Sequence, residues 1–264
     1  MKIIVTRIAA CLLLISCDSQ MHNASIPGSV SDSDIVASTE GPQRIDKDTT
    51  AVDDSLITKE FLLGKFDYRS HPLFTQVPPQ LSNKDIYIQN EVLKAFQTMS
   101  EEAMKDKISL RIVSGTRSFQ EQKRIWENKW QRESPNCKSP KETAMKILEF
   151  SSMPSTSRHH WGTDIDINSV ESSYFKNGQG AAEYAWLQKN GARFGFFQTY
   201  TSKENGRTGY SMEEWHWSYM PLAGQYLTRY NKLISNKDIT GFNGCETASE
   251  IDIINNFVNG IDGQ

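Results

Sequence analysis

Long apolar runs are almost absent from this chain of 264 residues; the one near the start, Ile8 to Ile15, is too short to cross a bilayer. Cysteine is scarce, with four residues, so at most a disulfide or two could contribute to stability. Strong charge of either sign is missing as well: the formal net charge is −3, and that balance gives no reason to expect a nucleic-acid partner. No internal repeat is evident, which leaves solenoids and propellers out. Histidine is rare, at five residues, so a place where two stand side by side draws notice.

The first seventeen residues read as a leader rather than as part of a fold. Lys2 and Arg7 make a short positive region ahead of the apolar run. Leu14-Ile15-Ser16-Cys17 resembles a bacterial lipobox, in which Cys17 becomes the lipidated N-terminus. That implies an envelope protein lipid-anchored to a bacterial membrane, its domain in the periplasm or outside the cell. The lipid is its only expected membrane contact. Residues 18–55 are rich in Ser, Asp, Thr, Gly and Pro and hold few large apolar side chains, so they read as a flexible tether. His22 is incidental there. Residues 56–240 suit one domain with a real core, and residues 241–264 form a C-terminal extension. With Cys11 removed and Cys17 modified, Cys137 and Cys245 remain and could pair in an oxidising compartment.

The chain is organised around Ser157-Arg158-His159-His160-Trp161-Gly162-Thr163-Asp164-Ile165-Asp166-Ile167. The alternation from Thr163 to Ile167 predicts a short strand, with the two isoleucines on one face and the two aspartates on the other. A histidine from the preceding turn could meet an aspartate of that strand at one metal ion, and Gly162 would let the turn fold back. Zinc in a catalytic site usually takes three protein ligands and keeps a fourth position for water. About fifty residues on, Met212-Glu213-Glu214-Trp215-His216-Trp217 offers a further ligand, His216, and a candidate general base, Glu213. Residues three apart on a strand point to opposite faces, so Glu213 reaches the same metal only through a bulge or turn.

Ser157-x-His159-x-x-Gly162-x-x-x-Asp166, followed by Glu213-x-Trp215-His216-Trp217, resembles the VanY-like D-alanyl-D-alanine carboxypeptidase family of zinc peptidases. The resemblance implies His159, Asp166 and His216 as ligands of one zinc ion per chain and Glu213 as catalytic base. It selects His159 over His160, because Gly162 falls three residues after the former. Ser114-Gly115-Thr116-Arg117-Ser118-Phe119-x-x-Gln122 is similar to another element of the family, with Thr116 where tyrosine is usual. On that basis Arg117 contacts substrate, with Ser157 and Gln122 beside it. Two departures stand out. Asp164 occupies a position usually held by alanine, as a partner for a ligand histidine or as a solvated charge. Glu214 replaces a common proline.

The resemblance also implies the fold: α+β, a small antiparallel sheet carrying the zinc site with helices around it. The implied activity is removal of the terminal D-alanine from peptidoglycan stem peptides by a monomer. An L,D-carboxypeptidase, a peptidoglycan endopeptidase and a non-catalytic zinc-containing wall-binding module are the alternatives; Glu213 argues for an enzyme, since a structural zinc needs no base.

Elsewhere the periodicity predicts a helix over residues 85–105 and a strand over residues 109–114. A capping box at Ser118 to Glu121 opens a helix that buries Trp126 and Trp130. Further helices are expected over residues 144–150, over residues 180–190 with Gly191 as C-cap glycine, over residues 221–234 and near residues 251–258. Glu60 to Asp67, with its Leu63-Gly64-Lys65 core, resembles the opening of many members of the same family.

Overall fold

The computed structural model describes residues 54–262; the leader, Cys17 and nearly all of the tether lie outside them. Helix α1 (Lys59–Leu62) is capped by Thr58, whose Oγ1 accepts the Phe61 N–H at 3.1 Å. A two-stranded antiparallel hairpin follows, β1 (Phe74–Gln76) with β2 (Tyr87–Gln89). Helix α2 then runs over Asn90–Lys105. The expected helix start at residue 85 is therefore five residues early. Ile86 and Ile88 alternate into the core, Ile88 opposite Thr75 of β1 and the Ile86 carbonyl accepting the Val77 N–H just beyond it, and strand pairing overrides the helical reading there.

Strand β3 (Ile112–Ser114) leads through Arg117 into α3 (Phe119–Glu133), then α4 (Pro140–Ile147). The capping box is formed as expected: Ser118 Oγ accepts the Glu121 N–H, and Glu121 Oε2 accepts the Ser118 N–H at 2.8 Å. Trp126 is fully buried, whereas Trp130 is only partly covered and stacks on it, and Ile125 faces out of the core. Helix α4 begins four residues before the expected position because Ser139 caps it and Pro140 occupies its first turn.

Strand β4 (Asp164–Ile167) is the strand the motif predicts. Helix α5 (Gly178–Asn190) does not end in a left-handed Gly191, which stays right-handed at φ −51° and passes into a further 3₁₀ turn. The left-handed glycine is Gly195, four residues later, directly before β5 (Phe196–Gln198). Strand β6 (His216–Tyr219) runs straight into α6 (Met220–Leu233). A short α7 (Ala248–Ile251) and a wide turn over Ile254–Val258 close the described chain.

Strands β3, β4, β6 and β5 form one antiparallel sheet in that order, and helices pack around it, so the fold is α+β. Ile165, Ile167, Leu187, Phe196 and Leu227 are buried in its core. The extension beyond residue 240 belongs to the same core: Phe242 packs on Trp126, Phe257 on Tyr210, and Trp126 Nε1 donates to Asn243 O at 2.8 Å. Cys137 and Cys245 are both free thiols, so the pairing the sequence allowed is not made. Among the described residues no helix is long and apolar enough to cross a membrane.

Candidate metal centre and its cleft

Antiparallel register sets the centre. Asp166 on β4 lies directly opposite His216 on β6, and Ser114 on β3 is opposite Asp166 on its other side. Residues so paired share a face with Cβ atoms roughly 5 Å apart. His159 arrives from the 3₁₀ turn Arg158–Trp161, which ends in left-handed Gly162 (φ +68°). A Cβ on Gly162 would lie 2.3 Å from the Phe74 ring, so both backbone and space demand glycine there.

His159, Asp166 and His216 are all buried, and each offers a ligand atom within 4.8 Å of the others. His159 Nε2 is 3.4 Å and His216 Nδ1 3.2 Å from Asp166 Oδ1. A tetrahedral zinc with bonds of about 2.0–2.1 Å sets its ligand atoms about 3.3 Å apart, so the spacing suits that ion. The far nitrogens are already committed. His159 Nδ1 is 2.8 Å from Gly115 O, which can only accept, and His216 Nε2 is 3.1 Å from Asp164 Oδ1. In the neutral rings, protons held at those nitrogens leave lone pairs on the inward ones. Asp166 Oδ1, buried with no hydrogen-bond donor, completes a set that fits a metal.

Asp164 is therefore a partner of His216 and not a solvated charge. It is buried, accepts Arg158 Nε at 3.0 Å and Thr163 Oγ1 at 2.6 Å, and the Arg158 guanidinium also donates to Ser218 Oγ at 2.8 Å. Burial opposes ionisation of both aspartates, yet Arg158 and His216 hold the Asp164 carboxyl well below its usual range, and His159 and His216 do the same for Asp166. Burial also works to lower His216, but the carboxylates at its two nitrogens outweigh it and hold the imidazole up at about 9. His159, by contrast, is pushed down by burial and by Arg117. His160 stands outside the group: its Nδ1 meets Arg117 O at 2.6 Å and its Nε2 accepts the Ser155 N–H at 3.0 Å.

The reach of Glu213 is settled by chain direction. It precedes β6, and a turn at Glu214–Trp215 brings its carboxylate back to the histidine side, with Oε2 3.8 Å from His216 Nδ1. Gln198 Nε2 donates to Glu213 O at 3.0 Å and fixes that turn. Burial pushes the Glu213 carboxyl up to about 7, partly offset by His216 and reinforced by Asp166. Glu214 points elsewhere, accepting Ser172 Oγ at 2.8 Å.

A cleft of about 570 Å³ opens in front of these groups. Arg117 enters it with Nη1 3.9 Å from Asp166 Oδ2; Ser114 Oγ accepts that same Nη1 at 2.7 Å, and Gln122 Oε1 accepts Nε at 2.9 Å. Gln122 is buried and also donates to Ser152 O at 2.8 Å, so it holds Arg117 while lining the cleft. Ser157 Oγ is buried on the cleft wall and has no hydrogen-bond partner among the described residues. Trp215 lines the cleft beside His216, and Trp217 lies in the core. Among the lining residues that the sequence does not single out are Lys129, Arg158, Tyr200 and Tyr210. Arg158 had a signal, since an aspartate on a wholly buried strand requires a counter-charge nearby. Lys129 follows Gln122 by two helical turns on the same face.

Comparison with known proteins places this geometry in context. The chain is 30% identical over 156 residues to the putative carboxypeptidase YodJ of Bacillus subtilis (strain 168), covering 58% of this chain and 52% of that protein. It is 29% identical over 168 residues to VanXYC, a bifunctional D-Ala-D-Ala dipeptidase and D-Ala-D-Ala carboxypeptidase of Enterococcus gallinarum, covering 58% and 81%. The chain thus spans about half the length of the first relative and most of the second. Among solved structures, the LdcB LD-carboxypeptidase aligns with a TM-score of 0.49 and 24% identity, over 64% of this chain and 77% of that one. The family model described as VanY, D-alanyl-D-alanine carboxypeptidase, matches residues 85–222, a span that takes in the three candidate ligands, Glu213 and Arg117. Over more than half its length, then, this chain belongs to the VanY family of D-alanyl-D-alanine carboxypeptidases.

Proposed function

We propose that the chain is a zinc-dependent carboxypeptidase that removes the terminal D-alanine from peptidoglycan stem peptides, held at the cell envelope by a lipid on Cys17. The observation that carries this reading is the convergence of His159 Nε2, His216 Nδ1 and Asp166 Oδ1, with the Glu213 carboxylate beside them. One zinc ion per chain would be held by those three atoms. When bound, zinc lowers the pKa of a water to about 7 and polarises a carbonyl oxygen.

The chain's own groups supply the rest. Glu213, whose carboxyl sits near neutrality, accepts a proton from the attacking water and returns it to the nitrogen of the leaving D-alanine. Arg117, fixed by Ser114 and Gln122, offers a preorganised guanidinium to the carbonyl oxygen as negative charge develops on it, or to the peptide carboxylate. Ser157 Oγ, with no hydrogen-bond partner among the described residues, is placed to bond the substrate. Asp164 holds the His216 ring so that its Nδ1 faces inward.

Mass spectrometry of purified muropeptides incubated with the zinc-loaded protein tests the reading. Pentapeptides should each lose one D-alanine. Products formed only from tetrapeptides would replace it with an L,D-carboxypeptidase, and products only from cross-linked dimers with an endopeptidase.

A further inference from the structure

The cleft holds more positive charge than zinc ligation and oxyanion stabilisation require. Lys129, on α3, lines the same cleft as Arg117 and Gln122. Its Nζ has one hydrogen-bond partner among the described residues, the neutral Ser151 Oγ at 2.5 Å, and no carboxylate within ion-pair distance. Its cationic neighbours differ. Arg132 and Lys146 both pair with Glu133, at 2.8 Å and 2.7 Å. Burial lowers the Lys129 pKa, and repulsion from Arg132 adds to this. An arriving anion would relieve both costs.

Position along the helix says where that anion sits. Gln122, which grips the Arg117 guanidinium, and Lys129 are separated by seven residues, roughly 10 Å along the helix axis. Between them on the cleft face stands Ile125, an apolar spacer. Arg117 marks the reacting centre by its approach to Asp166. A carboxypeptidase releases one residue, about 3.5 Å of extended chain. Lys129 stands two helical turns beyond the residue that grips Arg117, a longer step along the cleft than one released residue spans, so it faces the retained side of the peptide.

We propose that Lys129 is a specificity residue that receives a free carboxylate carried by the retained part of the peptide, two or three residues before the bond that is cut. This rests on the carboxypeptidase reading above and narrows its substrate to stem peptides with an unmodified acid at that place. Peptides in which the acid is amidated keep the bond but lose the charge.

The test uses the full zinc-loaded chain and two synthetic peptides ending in D-alanyl-D-alanine, identical except that the upstream acid is free in one and amidated in the other. D-Alanine release should favour the free acid by about tenfold or more in kcat/KM, mostly through KM, as expected for one charge-assisted contact. Raising the salt concentration should shrink the preference. In Lys129→Gln the ratio between the peptides should fall to near one, and Lys129→Arg should restore most of it. Equal rates in the wild type, or a preference unchanged in Lys129→Gln, overturns the proposal. If the wild type cuts neither peptide, the carboxypeptidase reading is what fails. Calorimetric binding of the same two peptides then decides Lys129 separately: tighter binding of the acid that vanishes in Lys129→Gln upholds its role, and equal binding ends it.

Discussion

Gly64 lies against the ring of His160 so closely that a Cβ on Gly64 would sit 2.3 Å from His160 Nδ1. That ring joins two loops of the site, through Arg117 O at one nitrogen and the Ser155 N–H at the other. Gly64 O accepts the Phe119 N–H at 2.7 Å, so the segment after α1 is tied to the start of α3 as well. The Leu63-Gly64-Lys65 opening is thus the outer clamp on the two segments that carry Arg117 and His159.

Gly64→Ala should accordingly destabilise the protein. The residue has φ +72°, where a Cβ costs about 1–2 kcal/mol, and overpacking a buried site typically adds about 1–3 kcal/mol. A total loss of roughly 2–5 kcal/mol in urea unfolding is expected. A loss below about 0.5 kcal/mol would mean that the His160 ring moves aside freely.

His160 gives the fold an acid-sensitive joint. Burial lowers its pKa from 6.5 to about 3, so the native ring stays neutral where the unfolded one takes up a proton. The unfolded state binds more protons between those two values, and stability therefore falls as pH drops through that window. Between pH 8 and pH 5 this one group should remove about 2 kcal/mol. The quantity to measure is the difference in that loss between wild type and His160→Gln, both with a chelator present. A wild type losing no more than the variant would show that the ring is not held neutral.

How much of this was legible in the sequence follows from the range of each signal. The strand under Asp164 to Ile167 follows from simple alternation and the residue types of the two motifs suggest a metal, whereas the choice of His159, Asp166 and His216 within them rests on the family resemblance, which takes His159 over His160 by the place of Gly162. Glu213 was half readable. The period of two placed it on the wrong face, and only the turn at Glu214–Trp215, set by the distant Gln198, brings it round. Residues 85–89 read as helix in sequence because their partner strand lies eleven residues upstream and leaves no local mark. Asp164 is ambiguous in sequence because the charge that neutralises it inside the core, Arg158, lies six residues earlier in the turn before the strand.

Zinc should bind once per chain, and His159→Ala, Asp166→Ala and His216→Ala should each abolish it by elemental analysis, with His160→Ala keeping its metal where it folds. Asp164→Asn should weaken affinity about 10–100-fold, because it disturbs the proton at His216 Nε2. Since His216 is held up at about 9, the metal must displace its proton at neutral pH. Proton competition weakens as pH rises, so the apparent dissociation constant should tighten by about tenfold from pH 7 to pH 8. A pH-independent constant from chelator competition would contradict this.

Cys17 lies outside the described residues, and its role is tested in cells. Cys17→Ser should leave the protein without fatty-acid label and shift it out of the membrane fraction. Metabolic labelling that persists in the variant would rule out lipidation at that residue.

The adjacent glutamates provide the sharpest separation of enzyme from binding module. Glu213 Oε2 is 3.8 Å from His216 Nδ1, whereas the Glu214 carboxylate bonds Ser172 and its backbone carbonyl accepts Trp217 Nε1. Glu213→Ala removes the proton carrier but no ligand atom, so zinc content should be retained. Turnover should fall by about 10²–10⁴-fold, and toward the upper end, since the other carboxylates at the ligand histidines are engaged, Asp166 as a candidate ligand and Asp164 with Arg158 and Thr163. Glu214→Ala should cost only what the part-buried hydrogen bond to Ser172 contributes, within a few-fold of wild type. Release of D-alanine from a stem pentapeptide, measured for all three proteins at equal zinc occupancy, decides the matter. Loss of turnover in Glu214→Ala with Glu213→Ala active would reverse the roles assigned to the two residues. Silence from zinc-loaded wild type on pentapeptide, tetrapeptide and cross-linked substrates alike would leave a zinc-bearing wall-binding module as the function of this fold.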